Sequence, residues 1–267
     1  MTSFWPPSLR WRSTLLVLFV MLPVFGLVLY IGIDSRSQEI AVAKNSAVLM
    51  ARQAGLEEEQ LISATHQLLA ILAEMPQMRT DDAAVCDAFM TDTRQQFQSY
   101  ANLGVIALNG DVVCSAVPLK DPVNVADRGY FTRALQTRDF AVGEYQVGRV
   151  TGAPSVNFGY PVLDETGQIK SVVFAALDLA WLNRLENQVI MQLPEAPTLI
   201  IVDGDGIVLV HQPDQTDWVG RRLPDALLAG NILTRASGVF TSSSVDSIRR
   251  VYAFATLDSA TASNDCT

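Results

Sequence analysis

Leu103-Gly104-Val105-Ile106-Ala107-Leu108-Asn109-Gly110-Asp111-Val112-Val113-Cys114-Ser115-Ala116 is the stretch that decides the fold class. Two apolar, β-branched runs flank Asn109-Gly110, a pair that readily takes the positive φ angles of a type I′ turn. The stretch therefore reads as a β-hairpin with strands over 103–108 and 111–116. Downstream comes a short helix over Asp127 to Gln136, with Asp127 placed as N-cap. Strands follow over Phe140 to Val147, Ser155 to Leu163 and Ile169 to Leu177, the last two joined by Asp164-Glu165-Thr166-Gly167, and then a helix over Leu179 to Ile190. The order then starts again. Thr198 to Val202, Asp203-Gly204-Asp205-Gly206 and Ile207 to His211 form a second strand, turn and strand, followed by a helix at Pro224 to Ala229 and strands at Val239 to Ser243 and Arg249 to Thr256. Two successive copies of one order of elements suggest two small α+β domains in tandem. The second copy lacks the last strand of the first and ends in a small polar tail.

Upstream of these strands the pattern is helical. Ile40, Ala43, Ala47, Met50, Ala54, Glu57, Leu61, Ala64, Leu68, Ile71 and Met75 recur at spacings of three and four, a seam roughly 54 Å long that Pro76 ends. It can pack on its own domain or on the same helix of a second chain. Before it, Leu15 to Ile33 carries no charge, and as a helix would span roughly 29 Å, the thickness of a bilayer core. Arg10 and Arg12 precede this run in a tail without acidic residues, so the positive-inside rule leaves the N-terminus in the cytoplasm and everything after Asp34 outside. Tyr30-Ile31-Gly32-Ile33 makes a poor signal-peptidase site, which favours an uncleaved anchor.

Composition narrows the functional classes. The 267 residues are 49% hydrophobic and 18% charged, which excludes a disordered chain. A net charge of −9 argues against nucleic acid as a partner. His66 reads as a solvent-facing helical residue and His211 as a strand end, and with three cysteines and no Cys-x-x-Cys there is no metal or cofactor spacing. Asp203-Gly204-Asp205-Gly206 is better explained as a hairpin turn than as a calcium loop. No hydrolase or nucleotide-binding motif is present, so no catalytic residue is assigned. Cys86 and Cys114, both on the expected outer side, are candidates for a disulfide; two buried free thiols are the alternative.

Asp127-Arg128-Gly129-Tyr130-Phe131-Thr132-Arg133-Ala134-Leu135 resembles the double Cache family of extracytoplasmic sensors in bacterial transmembrane signalling proteins. Val142 to Pro154 and Phe174-Ala175-Ala176-Leu177-Asp178-Leu179 continue the likeness in the same order, and it covers roughly residues 34 to 256. With the apolar run read as a transmembrane helix at 14–33 behind a cytoplasmic tail at 1–13, the resemblance implies a long signalling helix at 34–78. It further implies a membrane-distal PAS-like Cache domain with its linker helix at 79–190, an incomplete membrane-proximal Cache domain at 191–257, and an atypical tail at 258–267. Such segments are normally followed by a second membrane helix and a histidine kinase, diguanylate cyclase or chemoreceptor module, none of whose signatures occurs here.

The same resemblance locates a ligand site in the distal domain. Arg128 matches the family's ligand-binding arginine, and a guanidinium fork suits a carboxylate bidentately. Tyr130 stands in the aromatic pair after it, Tyr145 matches a later tyrosine, and Asp178 matches the aspartate that pairs with a ligand ammonium. Val123 replaces an upstream tyrosine of the amino-acid binders. Arg128-Gly129-Tyr130-Phe131 also resembles the motif of dicarboxylate sensors, where Arg149 would supply a second charge and Thr151 a hydroxyl. The expected ligand is thus a small organic acid or an amino acid. The expected setting is a single-span anchor in the bacterial inner membrane, dimeric through the long helix. Simpler roles compete: a surface ion pair for Arg128, a core aromatic for Phe131, and a helix N-cap for Asp178. A ligand-free module that only sets receptor geometry is the rival from another functional class.

Overall fold

A computed structural model describes residues 9–79, 82–190, 198–212, 218–224, 237–243 and 249–255. The chain divides into two units, residues 55–236 with 256–267, and residues 1–54 with 237–255. Helix α1 (Leu9–Glu74) contributes to both.

The larger unit is built on a five-stranded antiparallel sheet in the order β2-β1-β5-β4-β3. Its strands are β1 (Tyr100–Ala107), β2 (Val112–Ser115), β3 (Ala141–Val147), β4 (Pro154–Leu163) and β5 (Ile169–Asp178). In β5, every residue from Ser171 to Leu177 is buried, as befits a central strand covered on both faces. Val173, Ala175 and Leu177 face one layer, made by the end of α1 (Leu69, Leu72, Ala73), α2 (Pro76–Arg79), α3 (Ala83–Gln96) and α5 (Leu179–Ile190). Val172 and Phe174 face the other, where α4 (Gly129–Thr137) packs Tyr130, Phe131 and Ala134. Gly159 on β4 permits this approach, since a Cβ there would stand 2.8 Å from the Tyr130 carbonyl oxygen.

Helix α3 is tied to the β1–β2 edge. Asp82 caps it by accepting from the Ala84 and Val85 N–H groups. The Asp87 carboxylate accepts from Ser115 N–H at 2.7 Å, and Cys86 and Cys114 form a disulfide with their Cα atoms 5.9 Å apart. Residues after the hairpin lie along β2, where Val112 N–H donates to Val123 and Val125 N–H to Gly110.

Several local expectations are corrected. Asn109-Gly110 is not a type I′ turn. Only Gly110 has positive φ, and the bonds Gly110 N–H to Ala107 O and Ala107 N–H to Asp111 O define a three-residue loop with glycine in the left-handed position. The turns closed by Gly167 and Gly206 repeat this pattern of bonds and sign of φ. Asp203 spends one oxygen on the N–H groups of Asp205 and Ile207, which explains its turn without a metal. Asp127 does not cap α4; Arg128 holds that position, with no side-chain cap bond. Pro76 opens α2 rather than merely ending α1, because a missing N–H costs nothing at a first helical position. The expected seam of α1 meets the core in part: Leu61, Leu68 and Met75 pack against it, while Ala64 and Ile71 are exposed and Thr65 and Leu69, off the seam, are fully buried. His66 is half-buried and stacks on Phe140 at 4.7 Å instead of facing solvent.

The second copy of the repeat yields two hairpins, β6 (Leu199–Val202) with β7 (Val208–Gln212), and β8 (Ser237–Ser243) with β9 (Arg249–Ala255). The first lies in the larger unit, where Leu209 and Val210 join its core and Asn183 of α5 donates to the Leu209 carbonyl. The expected helix over 224–229 and the tail over 258–267 fall outside the described residues but for Pro224. Among the described residues no helix is long and apolar enough to cross a membrane; most side chains of Leu15–Ile33 lie outside them.

The disulfide closes a 28-residue separation, and removing such a constraint from the unfolded chain costs about 3–4 kcal/mol. Urea unfolding of the Cys86→Ser/Cys114→Ser double variant is expected to show a loss of that order, and wild type in reductant the same loss. Equal midpoints would mean the α3 hydrogen bonds alone hold the edge.

Candidate functional site

Under the N-terminus of α4 lies a pocket of about 20 Å³, lined by residues that include Asn102, Arg128, Tyr130, Gln146, Arg149, Thr151 and Asn157. Its floor is the α4-facing side of the sheet. Asn102, Asn157 and Ala176 come from β1, β4 and β5, and the registers Asn102↔Ala176 and Asn157↔Ala176 set them in one row. The loop after β3 supplies Gly148 to Thr151.

The polar groups are largely committed to one another. Asn102 donates to the Ser115 hydroxyl and accepts from Leu103 and Val117 N–H groups. The Tyr130 hydroxyl is hydrogen-bonded with the Asn157 and Gln146 side chains. Burial raises its pKa above the ordinary phenol value, with those bonds and the charges of Arg128 and Arg149 pulling the other way. Arg128 reaches the Val147 carbonyl at 3.5 Å. Arg149 bonds both oxygens of Asp127, at 2.6 and 2.8 Å, and donates to the Asn124 carbonyl at 2.6 Å. The hydrogen bond from Arg149 holds the Asp127 carboxyl below the usual carboxylate range. Both partners are exposed, so the pair is a weak latch that a competing anion can open.

Four of the six residues singled out from sequence meet here: Arg128, Tyr130, Arg149 and Thr151. Tyr145 and Asp178 do not. Val142 pairs with Phe158 but Tyr145 with Val156, so a bulge adds one residue to β3 between them. Unbroken pairing would set Tyr145 opposite Ser155, on the pocket side; the bulge sends it to the other face, against Gly220, and Gln146 takes its place. The freed Tyr145 N–H donates to the Asp203 carboxylate at 3.1 Å. Asp178 ends β5 and accepts from Ala180 N–H at 2.8 Å as the cap of α5. The amides Asn102, Gln146 and Asn157 escaped sequence reading. The one available sign was their position as polar residues inside apolar strands.

The chemistry of this pocket is one-sided. Two guanidinium groups, a phenol, a hydroxyl and three amides line it, and among the described lining residues there is no carboxylate. Such a donor set fits a small anion.

The Cache domain family matches residues 34–263. Sporulation kinase D of Bacillus subtilis is 24% identical over 176 residues, 66% of this chain and 35% of that protein, so the chain spans about a third of this relative. Among solved structures, the extracellular domain of rpHK1S-Z16, assigned as a histidine kinase, superposes with a TM-score of 0.63 at 14% identity, covering 85% of this chain and 98% of that one. The ligand-binding domain of the Pseudomonas fluorescens chemoreceptor CtaA, in complex with L-isoleucine, gives 0.62 at 16% identity over 81% and 87% of the two chains. That of the Pseudomonas aeruginosa amino-acid chemoreceptor PctB, in complex with L-Gln, gives 0.59 at 16% over 78% and 81%.

Replacing Tyr130 by Phe leaves the buried Asn157 and Gln146 amides short of one partner each, and is expected to cost about 1–3 kcal/mol in urea unfolding. An unchanged midpoint would show that water takes over the hydroxyl's bonds.

Proposed function

Because the chain belongs to the Cache domain family, whose members are extracytoplasmic sensor domains of membrane receptors, we propose that it is the sensor segment of a transmembrane signalling protein of histidine kinase or diguanylate cyclase type. Its ligand on this reading is a small organic acid bound under the N-terminus of α4. The observation that carries the choice of acid over amino acid is the missing counter-charge. An α-amino acid calls for a negative partner to its ammonium, and the described lining residues offer amide and hydroxyl oxygens but no carboxylate, while Asp178 caps α5. Arg128 takes one carboxylate, and Arg149, released from Asp127, takes a second.

At about 20 Å³ the pocket holds roughly one water molecule, so binding requires the β3–β4 loop or the start of α4 to move outward. That movement gives the ligand a differential affinity for two states, the condition for signalling. The same small volume favours a second reading, a ligand-free module that sets receptor geometry. Membrane anchoring through residues 14–33 is supported by Leu18, Phe19, Met21, Leu22 and Phe25, all more than half exposed on α1. Two further proposals are a dimer through α1 and a second Cache domain over 191–257.

The test is a thermal-shift and calorimetric panel of mono- and dicarboxylates and amino acids on the full chain in detergent micelles. A dicarboxylate is expected to raise Tm. Arg128→Ala should abolish the shift and Tyr145→Phe should not. Asp127→Asn should tighten binding several-fold, because Arg149 no longer has to be taken from its latch. A flat panel on folded protein would support the ligand-free module instead.

A further inference from the structure

A larger cavity, about 270 Å³, lies on the opposite side of the sheet, between α1, α5 and β6. Leu61, Leu182, Leu185 and Ile201 give it apolar walls, and its charged lining is Glu57, Glu58 and Glu186, with no lysine, arginine or histidine among the described residues there. Glu186 is only 6% exposed, and among the described residues no hydrogen-bond or ion-pair partner meets its carboxylate. A buried carboxylate lining an open cavity without a partner is a costly arrangement unless something arrives to pair with it.

We propose that this cavity is a second binding site, taking a small aliphatic ammonium, a mono- or diamine whose methylenes lie on Leu61, Leu182, Leu185 and Ile201 and whose charge meets Glu58 and Glu186. The volume suits a ligand smaller than a drug-sized molecule. A metal ion is the poorer occupant: no group of three or more His, Cys, Asp or Glu among the described residues is placed to hold one, and the leucine walls offer no oxygen. Protonation answers the same need when the site is empty. Burial, with the nearby Glu186 charge adding to it, pushes Glu58 up to about 7, and burial with the Glu57 charge raises Glu186. Among the described residues, the groups facing this pair are Glu57 and Gln60 on α1, and β6 contributes Ile201. An arriving ammonium near neutral pH therefore displaces a proton from a carboxyl.

Calorimetric titration of the full chain in detergent micelles with 1,4-diaminobutane at pH 8 tests this. One saturable site per chain is expected, at least tenfold weaker in Glu58→Gln and in Glu186→Gln, at least tenfold weaker at pH 5.5, and unchanged in Glu165→Gln, an exposed carboxylate on a distant turn. At pH 7 the observed heat should depend on the ionisation enthalpy of the buffer. Both glutamine variants should melt no lower than wild type at pH 8, since each removes a carboxylate that burial holds against ionisation. The proposal is overturned by the absence of a saturable site, by wild-type affinity in either glutamine variant, or by calcium chloride displacing the amine at matched ionic strength.

Discussion

Strand β5 is the constraint on which the larger unit rests. It pairs with β1 on one side and β4 on the other, and seven consecutive residues are buried, so both of its faces demand an apolar cover. Burial of side chains such as Val172, Val173 and Phe174 is worth roughly 1.5–3 kcal/mol each. The covers are unlike. One is a broad layer of helices and the β6–β7 hairpin; the other is the single helix α4, whose nine residues leave room beside them. The anion pocket occupies that room, and the acidic cavity sits in the thicker layer.

This asymmetry gives the two cavities opposite chemistry on either side of one sheet. Donors gather under α4 because Arg128 stands at the helix start and the β3–β4 loop folds Arg149 over the pocket mouth. Acceptors gather between α1 and α5 because both helices present glutamates toward their contact. α5 begins at Leu179, directly after Asp178 at the end of β5, so the strand that floors one pocket leads directly into a wall of the other.

Elements were legible where periodicity or turn chemistry is strong. The apolar run of β5 and the helix over 179–190 follow from pattern alone, and Arg128, Arg149 and Thr151 follow from the motif around α4. Tyr145 faces away from the other motif residues because facing depends on strand parity, and nothing in Val142-Gly143-Glu144-Tyr145 announces the extra residue. Gln146, Asn102 and Asn157 were missed for a related cause: a buried amide is legible only once its partners across strands are known. The loop at Asn109-Gly110 differs from the expected type I′ turn by one added residue and by the sign of φ at Asn109, which an Asn-Gly pair tolerates either way. The buried face of α1 coincides with its seam only in part, at Leu61, Leu68 and Met75, because alanines are too small to decide which of two adjacent stripes faces the core.

The hydrogen bonds around β3 bear on solubility as well as on the site. As an edge strand it would expose backbone groups to any passing chain, yet Arg133 and Arg128 occupy the Val142 and Val147 carbonyls and Asp203 the Tyr145 N–H. At the other edge, β2 is met by the backbone of Val123 and by the Asp87 carboxylate. A strand from a neighbouring molecule thus finds few free donors or acceptors along this sheet, which discourages fibril-like extension even where many copies crowd together.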